Sequence, residues 1–388
     1  MDTIQQFNSY VMQTYGRLPL VVDNGNGRTC FGEDGKQYID FGSGIGTNSL
    51  GYCDHDWAEA VSEQAHKMQH TSNYYYTKVQ ADFAKALCDA TGYQKIFFGN
   101  SGAEANECAI KLARKYSFDK YGLGRHNIIT LVNSFHGRTL CTLSATGQDV
   151  FHQYFFPFVE GFINSKANDI EDLKSKLDGT ICAIMIEFIQ GEGGVIPLDS
   201  QYVSQVAKIC KDNDILLIAD EVQTGAGRTG KFLTSQIFGV HPDVTTMAKG
   251  LAGGVPVGAC LTTDALGDVL CKGTHGSTFG GNPLACAGGL AVLNKVTKPE
   301  FLDEVVKKGQ YIKDRLSKCD EVTDVCGLGL MLGISLKSKV AGDVLTKCFQ
   351  NGLLILTAKD KVRLLPPLNI TYQELDKGLD ILMGVLNE

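Results

Sequence analysis

Two acidic residues and one lysine are the first candidates for catalytic residues in this sequence. Asp220 and Glu221 follow the apolar run 215–219, a pattern typical of a strand that is buried on both faces. Lys249 follows a second short predicted strand around Val244. Because strand ends of this kind open onto one crevice of an α/β sheet, we expect the carboxylates and the amine to lie close together.

The Gly-rich loop between them, residues 225–232, has the sequence GAGRTGKF and allows nucleotide binding as an interpretation. It resembles a phosphate-binding loop, but Phe232 occupies the position of the Ser or Thr that binds magnesium. Its glycines Gly225, Gly227 and Gly230 also match the dinucleotide fingerprint GxGxxG, although no clear helix follows. Both matches are weak, and a non-catalytic nucleotide-binding protein stays open as an alternative.

Pyridoxal phosphate chemistry is the interpretation that uses both the carboxylate and the amine. A buried Asp can hold the pyridine nitrogen protonated, and a Lys can form a Schiff base with the cofactor's aldehyde. The structural alternative makes Asp220 a helix cap and Lys249 a solvated surface residue. The rest of the chain has to decide between these interpretations.

Composition narrows the class of protein. The chain has 388 residues, 44% apolar and 20% charged, as in ordinary globular proteins, and a net charge of −7 argues against nucleic-acid and anionic-membrane partners. The 13 Cys are scattered without metal-binding spacing, which indicates reduced thiols and a cytoplasmic protein. No apolar run is long enough to span a membrane. No third ligand accompanies His66 and His70, so we expect no metal.

Polar residues also follow other predicted strands. Strand 95–98 runs into Ser101 and a helix N-terminus, an arrangement that can bind an anion or can be an ordinary helix cap. Strand 128–132 is followed by Phe135, which could stack on a flat ring, and Arg138, which could bind a carboxylate. This alternation of strands and helices predicts an α/β protein with a mostly parallel, helix-covered sheet and ligands at the strands' carboxyl ends.

A polar break at residues 297–300 indicates a domain boundary. We expect residues 1–50 to join a small domain and residues 51–296 to form the large ligand-binding domain. Residues 297–388, which alternate helices with short strands, would complete the small α+β domain.

Seven blocks, in order, resemble one family over essentially the whole chain. The blocks are SGAEANE, FHGRT, EFIQGEGG, ADEVQTGAGRTG, MAKGLAGGVPVGA, GTHGSTFGGNPLA and VRLLPP. Through these blocks the chain resembles the class III aminotransferases of pyridoxal-phosphate fold type I. Each block alone is weak, but their order is specific.

The resemblance implies a role for each candidate cofactor residue. Lys249 would form the Schiff base and carry a proton, and Asp220 would pair with the pyridine nitrogen. Phe135 would stack on the cofactor ring, and Gln223 would touch its phenolic oxygen. The other cofactor contacts would come from Ser101, Gly102, Ala103, Glu221, Val222 and, across the interface of a homodimer with shared active sites, Thr278.

The resemblance also implies how small-molecule substrates are held. Arg138 would bind a substrate carboxylate, with Ser277 supplied by the second chain. Arg363 would take the α-carboxylate of glutamate. Glu192 would neutralise Arg363 when the amino donor reacts through its side-chain amine, so that one site handles two substrates.

Within the family, the block FHGRTL and the compact length favour one branch. Its members exchange the side-chain amino group of N-acetylornithine with 2-oxoglutarate, and the branches for ornithine, succinylornithine and GABA are the alternatives. Two positions depart from the family pattern, since Ala103 replaces a usual Thr and Phe188 a usual Pro. A missing neutral hydrogen bond at Ala103 would weaken cofactor binding about tenfold.

Overall fold

The computed structural model describes residues 2–388. Its helices are α1 (Thr3–Tyr10), α2 (Ser43–Gly46), α3 (His55–Lys67), α4 (Lys78–Thr91), α5 (Gly102–Tyr121), α6 (Leu140–Ala145), α7 (Ile170–Ser175), α8 (Ser200–Asp212), α9 (Pro283–Val296), α10 (Pro299–Leu316), α11 (Ala341–Gln350) and α12 (Tyr372–Asn387). Its strands are β1 (Val22–Asn26), β2 (Thr29–Gly32), β3 (Gln37–Asp40), β4 (Lys95–Gly99), β5 (Asn127–Leu131), β6 (Phe162–Ser165), β7 (Ile181–Ile186), β8 (Ile189–Gln190), β9 (Ile196–Pro197), β10 (Leu216–Asp220), β11 (Val244–Met247), β12 (Gly258–Thr262), β13 (Val322–Leu328), β14 (Met331–Leu336), β15 (Leu353–Leu354), β16 (Leu356–Ala358) and β17 (Lys361–Leu364).

A seven-stranded sheet forms the centre of the molecule, in the order β4-β12-β11-β10-β7-β5-β6. Strand β10 pairs in parallel with β11 and β7, and β5 in parallel with β7 and β6. Only β12 runs antiparallel to its neighbours within this sheet. The predicted α/β fold of type I, with a mostly parallel sheet, is confirmed.

Helices cover both faces of strand β10, which is why its sequence is a continuous apolar run. Leu216 and Ile218 pack into a cluster that includes Ala109 of α5, whereas Leu217 and Ala219 pack into a second cluster on the opposite face. That second cluster contains Val203 and Val206 of α8. Asp220, the last residue of this strand, is therefore held in a fixed position and orientation.

A separate four-stranded sheet joins segments from both ends of the chain. Strand β3 pairs in parallel with β15, so that Ile39 lies beside Leu353. Another sheet, ordered β13-β14-β17-β16, places Arg363 of β17 beside Gly333 of β14. The predicted domain boundaries at residues 50/51 and 296/297 stay a prediction.

Helix packing predicts a difference between two glycines that both lie within helices. A Cβ at Gly289 of α9 would lie 2.4 Å from ring atoms of the fully buried Phe83, whereas a Cβ at Gly384 of α12 would have no neighbour within 4 Å. We expect Gly289→Ala to lower the free energy of unfolding by about 1–3 kcal/mol, because the packed ring has to move. Gly384→Ala should raise it by roughly 0.5–1 kcal/mol through helix propensity. Urea unfolding of the two variants measures the difference, and equal midpoints would contradict this packing.

Candidate active site

A cavity of about 420 Å³ opens at the carboxyl ends of the parallel strands, within the size range of small-molecule sites. It brings together most of the residues that the sequence singled out. Those that line it are Ser101, Gly102, Ala103, Phe135, Arg138, Glu192, Asp220, Val222, Gln223 and Lys249. They come from five separate segments of the chain, so the fold and not local sequence assembles the site.

The turn before helix α5 has the form of an anion site at one end of the cavity. The Ser101 hydroxyl accepts a hydrogen bond from Glu104 N at 3.2 Å and donates one to Glu104 Oε2 at 3.0 Å, so it is a true helix cap. A Cβ on Gly102 would lie 2.6 Å from Val222 Cγ1, which leaves room only for glycine. Gly102 and Ala103, the first residues of this 20-residue helix, line the cavity, so the positive end of the helix lies beside it.

Asp220 is 4% exposed and is held by three donors. Its Oδ2 accepts a hydrogen bond from Asn106 Nδ2 at 2.8 Å and lies 2.8 Å from His136 Nδ1. Its Oδ1 accepts a hydrogen bond from Val222 N at 3.0 Å. Because a buried carboxylate is costly without partners, these contacts keep a negative charge at the floor of the cavity.

Lys249 lies beside this charge and has an unusual backbone. It follows strand β11 with φ of +38°, a left-handed conformation that costs free energy in a non-glycine residue. Burial lowers the pKa of its ammonium group, and the negative charges of Glu192 and Asp220 oppose that shift. The cavity therefore favours the unprotonated amine, which is the nucleophilic form.

Arg363 and Glu192 form an ion pair at the rim of the cavity. Arg363 Nη1 donates to Glu192 Oε1 at 2.6 Å and to Gln223 Oε1 at 3.2 Å. Burial would raise the pKa of Glu192, but the charge and hydrogen bond of Arg363 outweigh it and the pKa is lowered. Arg363 does not itself line the cavity, yet it is tied to two residues that do.

Arg138 is the other cation of the cavity and is exposed. Its guanidinium carbon lies 4.3 Å from the ring centroid of Phe151 and 5.5 Å from that of Phe135. Among residues 2–388, no carboxylate forms a salt bridge with it. Two aromatic rings thus hold a guanidinium whose charge is left for a ligand's carboxylate.

Comparison with known proteins decides the family. The model of the family described as "Aminotransferase class-III" matches residues 10–386. The chain belongs to this family. The resemblance drawn from the seven sequence blocks is thereby confirmed.

Relatives of class III match over the full length of the chain. The acetylornithine aminotransferase of Haemophilus ducreyi is 51% identical over 100% of this chain and 99% of its own. That of Caldanaerobacter subterraneus is 47% identical over 98% of both.

Solved structures show the same fold. Ornithine aminotransferase from Toxoplasma gondii is 31% identical with a TM-score of 0.94, covering 99% of this chain and 94% of its own. N-acetylornithine aminotransferase from Stenotrophomonas maltophilia is 33% identical with a TM-score of 0.86, covering 99% and 98%.

Glu187 belongs to this aminotransferase cavity, although no role was predicted for it. It lines the cavity, and its Oε2 accepts a hydrogen bond from Phe135 N at 2.9 Å. Burial raises its pKa, and the nearby charge of Asp220 raises it further. A signal was present, because Glu187 directly follows the apolar run 181–186 just as Asp220 follows 215–219.

Glu221 is a predicted cofactor residue whose side chain the structure places elsewhere. It does not line the cavity, and its carboxylate is 1% exposed and accepts hydrogen bonds from the backbone of Thr234 and Ser235. Successive side chains at the end of a strand point in opposite directions, so Glu221 turns away where Asp220 turns in. Its carboxylate supports the 234–236 turn instead of a ligand.

Ser277 and Thr278 lie outside the cavity of their own chain. Thr278 is exposed, and Ser277 Oγ accepts hydrogen bonds from Asn100 Nδ2 at 3.2 Å and Gly280 N at 3.0 Å. Since both were predicted to serve a second chain's site, their roles stay predictions.

The Gly-rich loop 225–232 does not form a phosphate cradle. Gly230 N donates to Gly227 O at 3.1 Å, and Gly227 N donates to Phe232 O at 3.3 Å, so these amides are used within the loop. Arg228 is buried and donates to the carbonyl of Leu330 at 3.2 Å. The loop therefore packs against the C-terminal part of the chain, and the nucleotide-binding alternative loses its geometric basis.

The structure shows the surroundings of Phe188 and Ala103, the two residues that depart from the family pattern. Phe188 is fully buried and its ring stacks on Phe238 with centroids 5.1 Å apart, so it serves the core. Ala103 lines the cavity and brings no hydroxyl. Within residues 2–388, no group of three or more His, Cys, Asp or Glu is placed to hold a metal ion, and none of the helices is long and apolar enough to cross a membrane.

Proposed function

We propose that this aminotransferase moves the side-chain amino group of N2-acetylornithine to 2-oxoglutarate, giving N-acetylglutamate semialdehyde and glutamate, a step of arginine biosynthesis. The observation that carries the proposal is full-length identity of 41–51% to relatives named acetylornithine aminotransferase. Two ornithine aminotransferases among the solved structures are 31% and 34% identical, and the N-acetylornithine aminotransferase structure from Stenotrophomonas maltophilia is 33% identical, so the proposal rests on the full-length relatives. Ornithine, succinylornithine and GABA are the substrates of the alternative activities.

The cofactor is pyridoxal 5'-phosphate, and the cavity fits it in three places. The first turn of α5 offers backbone amides to a phosphate, Asp220 offers a buried negative charge to a pyridine nitrogen, and Lys249 offers an amine. Gln223 and Phe135 line the space between them. When bound, pyridoxal 5'-phosphate supplies an aldehyde that accepts amines and a ring that withdraws electrons.

Lys249 carries the proton transfers. Burial lowers the pKa of its ammonium group, so Nζ would take a proton from the substrate carbon that bears the amine and would hold that proton at the nitrogen. Asp220, held by its donors, would pair with the ring nitrogen of the cofactor. Burial and the nearby charge of Asp220 raise the pKa of Glu187, the other carboxyl group of the cavity.

Two arginines sort the two substrates. Arg138 binds a carboxylate of either substrate, and Arg363 binds the α-carboxylate of glutamate. When acetylornithine reacts through its side-chain amine there is no carboxylate for Arg363, and the ion pair with Glu192 at 2.6 Å satisfies it. Breaking that pair for glutamate replaces one carboxylate with another, so a single cavity can alternate between donors.

The enzyme works as a homodimer in the cytoplasm, with Ser277 and Thr278 completing the other chain's cavity. Exposed aromatic side chains support this assembly, since Tyr74 and Tyr76 are 94% and 105% exposed. These tyrosines are close to the segment that contains Ser277 and Thr278, because Asn73 Nδ2 donates a hydrogen bond to Ser277 O at 3.1 Å.

A single-turnover comparison of amino donors tests the substrate. The cofactor-loaded enzyme is mixed separately with N-acetylornithine, ornithine, succinylornithine, GABA and glutamate, and loss of the visible cofactor band is followed. Under the proposed function, acetylornithine and glutamate should react fastest, and ornithine more slowly. Faster reaction of ornithine or GABA would refute the substrate while keeping the family.

Glu192→Ala tests the alternation between donors in the same assay. Removing the carboxylate frees Arg363 for glutamate, so the rate with glutamate should rise relative to that with acetylornithine. Glu59→Ala, an exposed position on α3, is the matched control and should keep the wild-type ratio. An unchanged ratio in Glu192→Ala would remove the ion pair from the account of specificity.

A further inference from the structure

Asp220 is backed by side chains to which neither the sequence nor the proposed function gives a role. His136 Nδ1 and Asn106 Nδ2 both lie 2.8 Å from the same oxygen, Oδ2. They reach it from the loop after β5 and from the second turn of α5. Two donors on one carboxylate oxygen leave it little capacity for any further partner.

The Asn106 amide has only one orientation that satisfies its neighbours. Thr246 Oγ1, on the adjacent strand β11, donates to Asn106 Oδ1 at 2.6 Å. Asn106 Nδ2 therefore faces Asp220, and it also donates to the carbonyl of His136 at 2.7 Å. Asn106 thus ties strand β11, the histidine's backbone and the carboxylate into one network.

The His136 ring is dedicated to Asp220. Since a carboxylate only accepts, Nδ1 carries the hydrogen of the bond between them. The other ring nitrogen, Nε2, is buried and has no hydrogen-bond partner among residues 2–388. The backbone is fixed as well, because His136 N donates to Thr146 Oγ1 at 2.9 Å. A fixed ring with one side-chain bond can orient the group to which that bond goes.

The free capacity of Asp220 lies on its other oxygen. Oδ1 accepts one hydrogen bond, from Val222 N at 3.0 Å, and keeps a lone pair for another donor. We propose that His136 is a positioning residue, which together with Asn106 occupies Oδ2 and so presents Oδ1 to the protonated ring nitrogen of the cofactor. This rests on the proposed function only in taking pyridoxal 5'-phosphate as the ligand.

The local charges make such support necessary. Glu187 is a second buried carboxyl group, and burial together with the nearby charge of Asp220 raises its pKa. The N–H groups of His136 and Asn106 supply the donors that a buried carboxylate needs. Without His136, Oδ2 would keep one donor, and the Asp220 side chain would be free to rotate.

A ligand without the ring nitrogen separates positioning from simple packing. Cofactor-free wild type, His136→Leu and His136→Asn are titrated with pyridoxal 5'-phosphate and with 1-deazapyridoxal 5'-phosphate, which has a carbon in place of that nitrogen. Dissociation constants are read from fluorescence quenching, so the readout does not depend on turnover. His241→Leu is the control, since His241 packs on Tyr93, with ring centroids 4.5 Å apart, and makes no hydrogen bond to Asp220.

His136→Leu should raise the dissociation constant of pyridoxal 5'-phosphate about tenfold or more and leave that of the deaza analogue unchanged. His136→Asn, whose amide can donate from near the Nδ1 position, should recover part of the loss, and His241→Leu should lose nothing. Equal weakening of both ligands by His136→Leu would show a packing role and overturn the proposal. Failure of wild type to bind pyridoxal 5'-phosphate would instead overturn the proposed function.

Discussion

The burial of one carboxylate, Asp220, is the constraint on which the rest of the site depends. A charge removed from water costs several kcal/mol unless donors replace the water, and here the side chains of Asn106 and His136 and the backbone of Val222 do so. These donors come from α5, the loop after β5 and the turn after β10, so the carboxylate keeps its charge only when those segments are in register. The same charge, fixed at the end of a strand covered on both faces, is what a cationic pyridine ring needs.

The other groups of the cavity follow from that anion. Lys249 is half-buried beside it, and burial lowers the pKa of its ammonium group more than the neighbouring carboxylates raise it. Arg363 and Glu192 neutralise each other at the rim, which keeps the cavity balanced while one cation, Arg138, remains for a carboxylate. Under the proposed function, a site of this kind would distinguish its substrates by the ion pair that each of them replaces.

The features that could be predicted from sequence alone are those that depend on a local pattern of residues. The apolar runs 181–186 and 215–219 predict central strands because helices cover both sides, and a carboxylate or lysine after such a strand predicts the cavity's polar groups. The hydrogen bonds that hold Asp220 could not be predicted, since His136 and Asn106 lie 84 and 114 positions away along the chain. Glu221 was assigned to the cofactor site although its side chain points away from the cavity. Two adjacent carboxylates look alike in sequence, and only the direction of each side chain distinguishes them. The Gly-rich loop 225–232 misled for a related reason, since its amides bond to each other and not to an anion.

The most direct test of the central claim is the affinity of the cofactor-free protein for pyridoxal 5'-phosphate when the charge of Asp220 is removed. Asp220→Asn keeps the size of the side chain, and Asp243→Asn, at a half-buried carboxylate that accepts from Leu217 N at 2.8 Å, is the matched control. If the buried charge anchors the cofactor, the dissociation constant should rise roughly ten- to a hundredfold in Asp220→Asn only, as expected for a hydrogen bond to a charged group. An Asp220→Asn protein that binds the cofactor as tightly as the Asp243→Asn control would contradict the account.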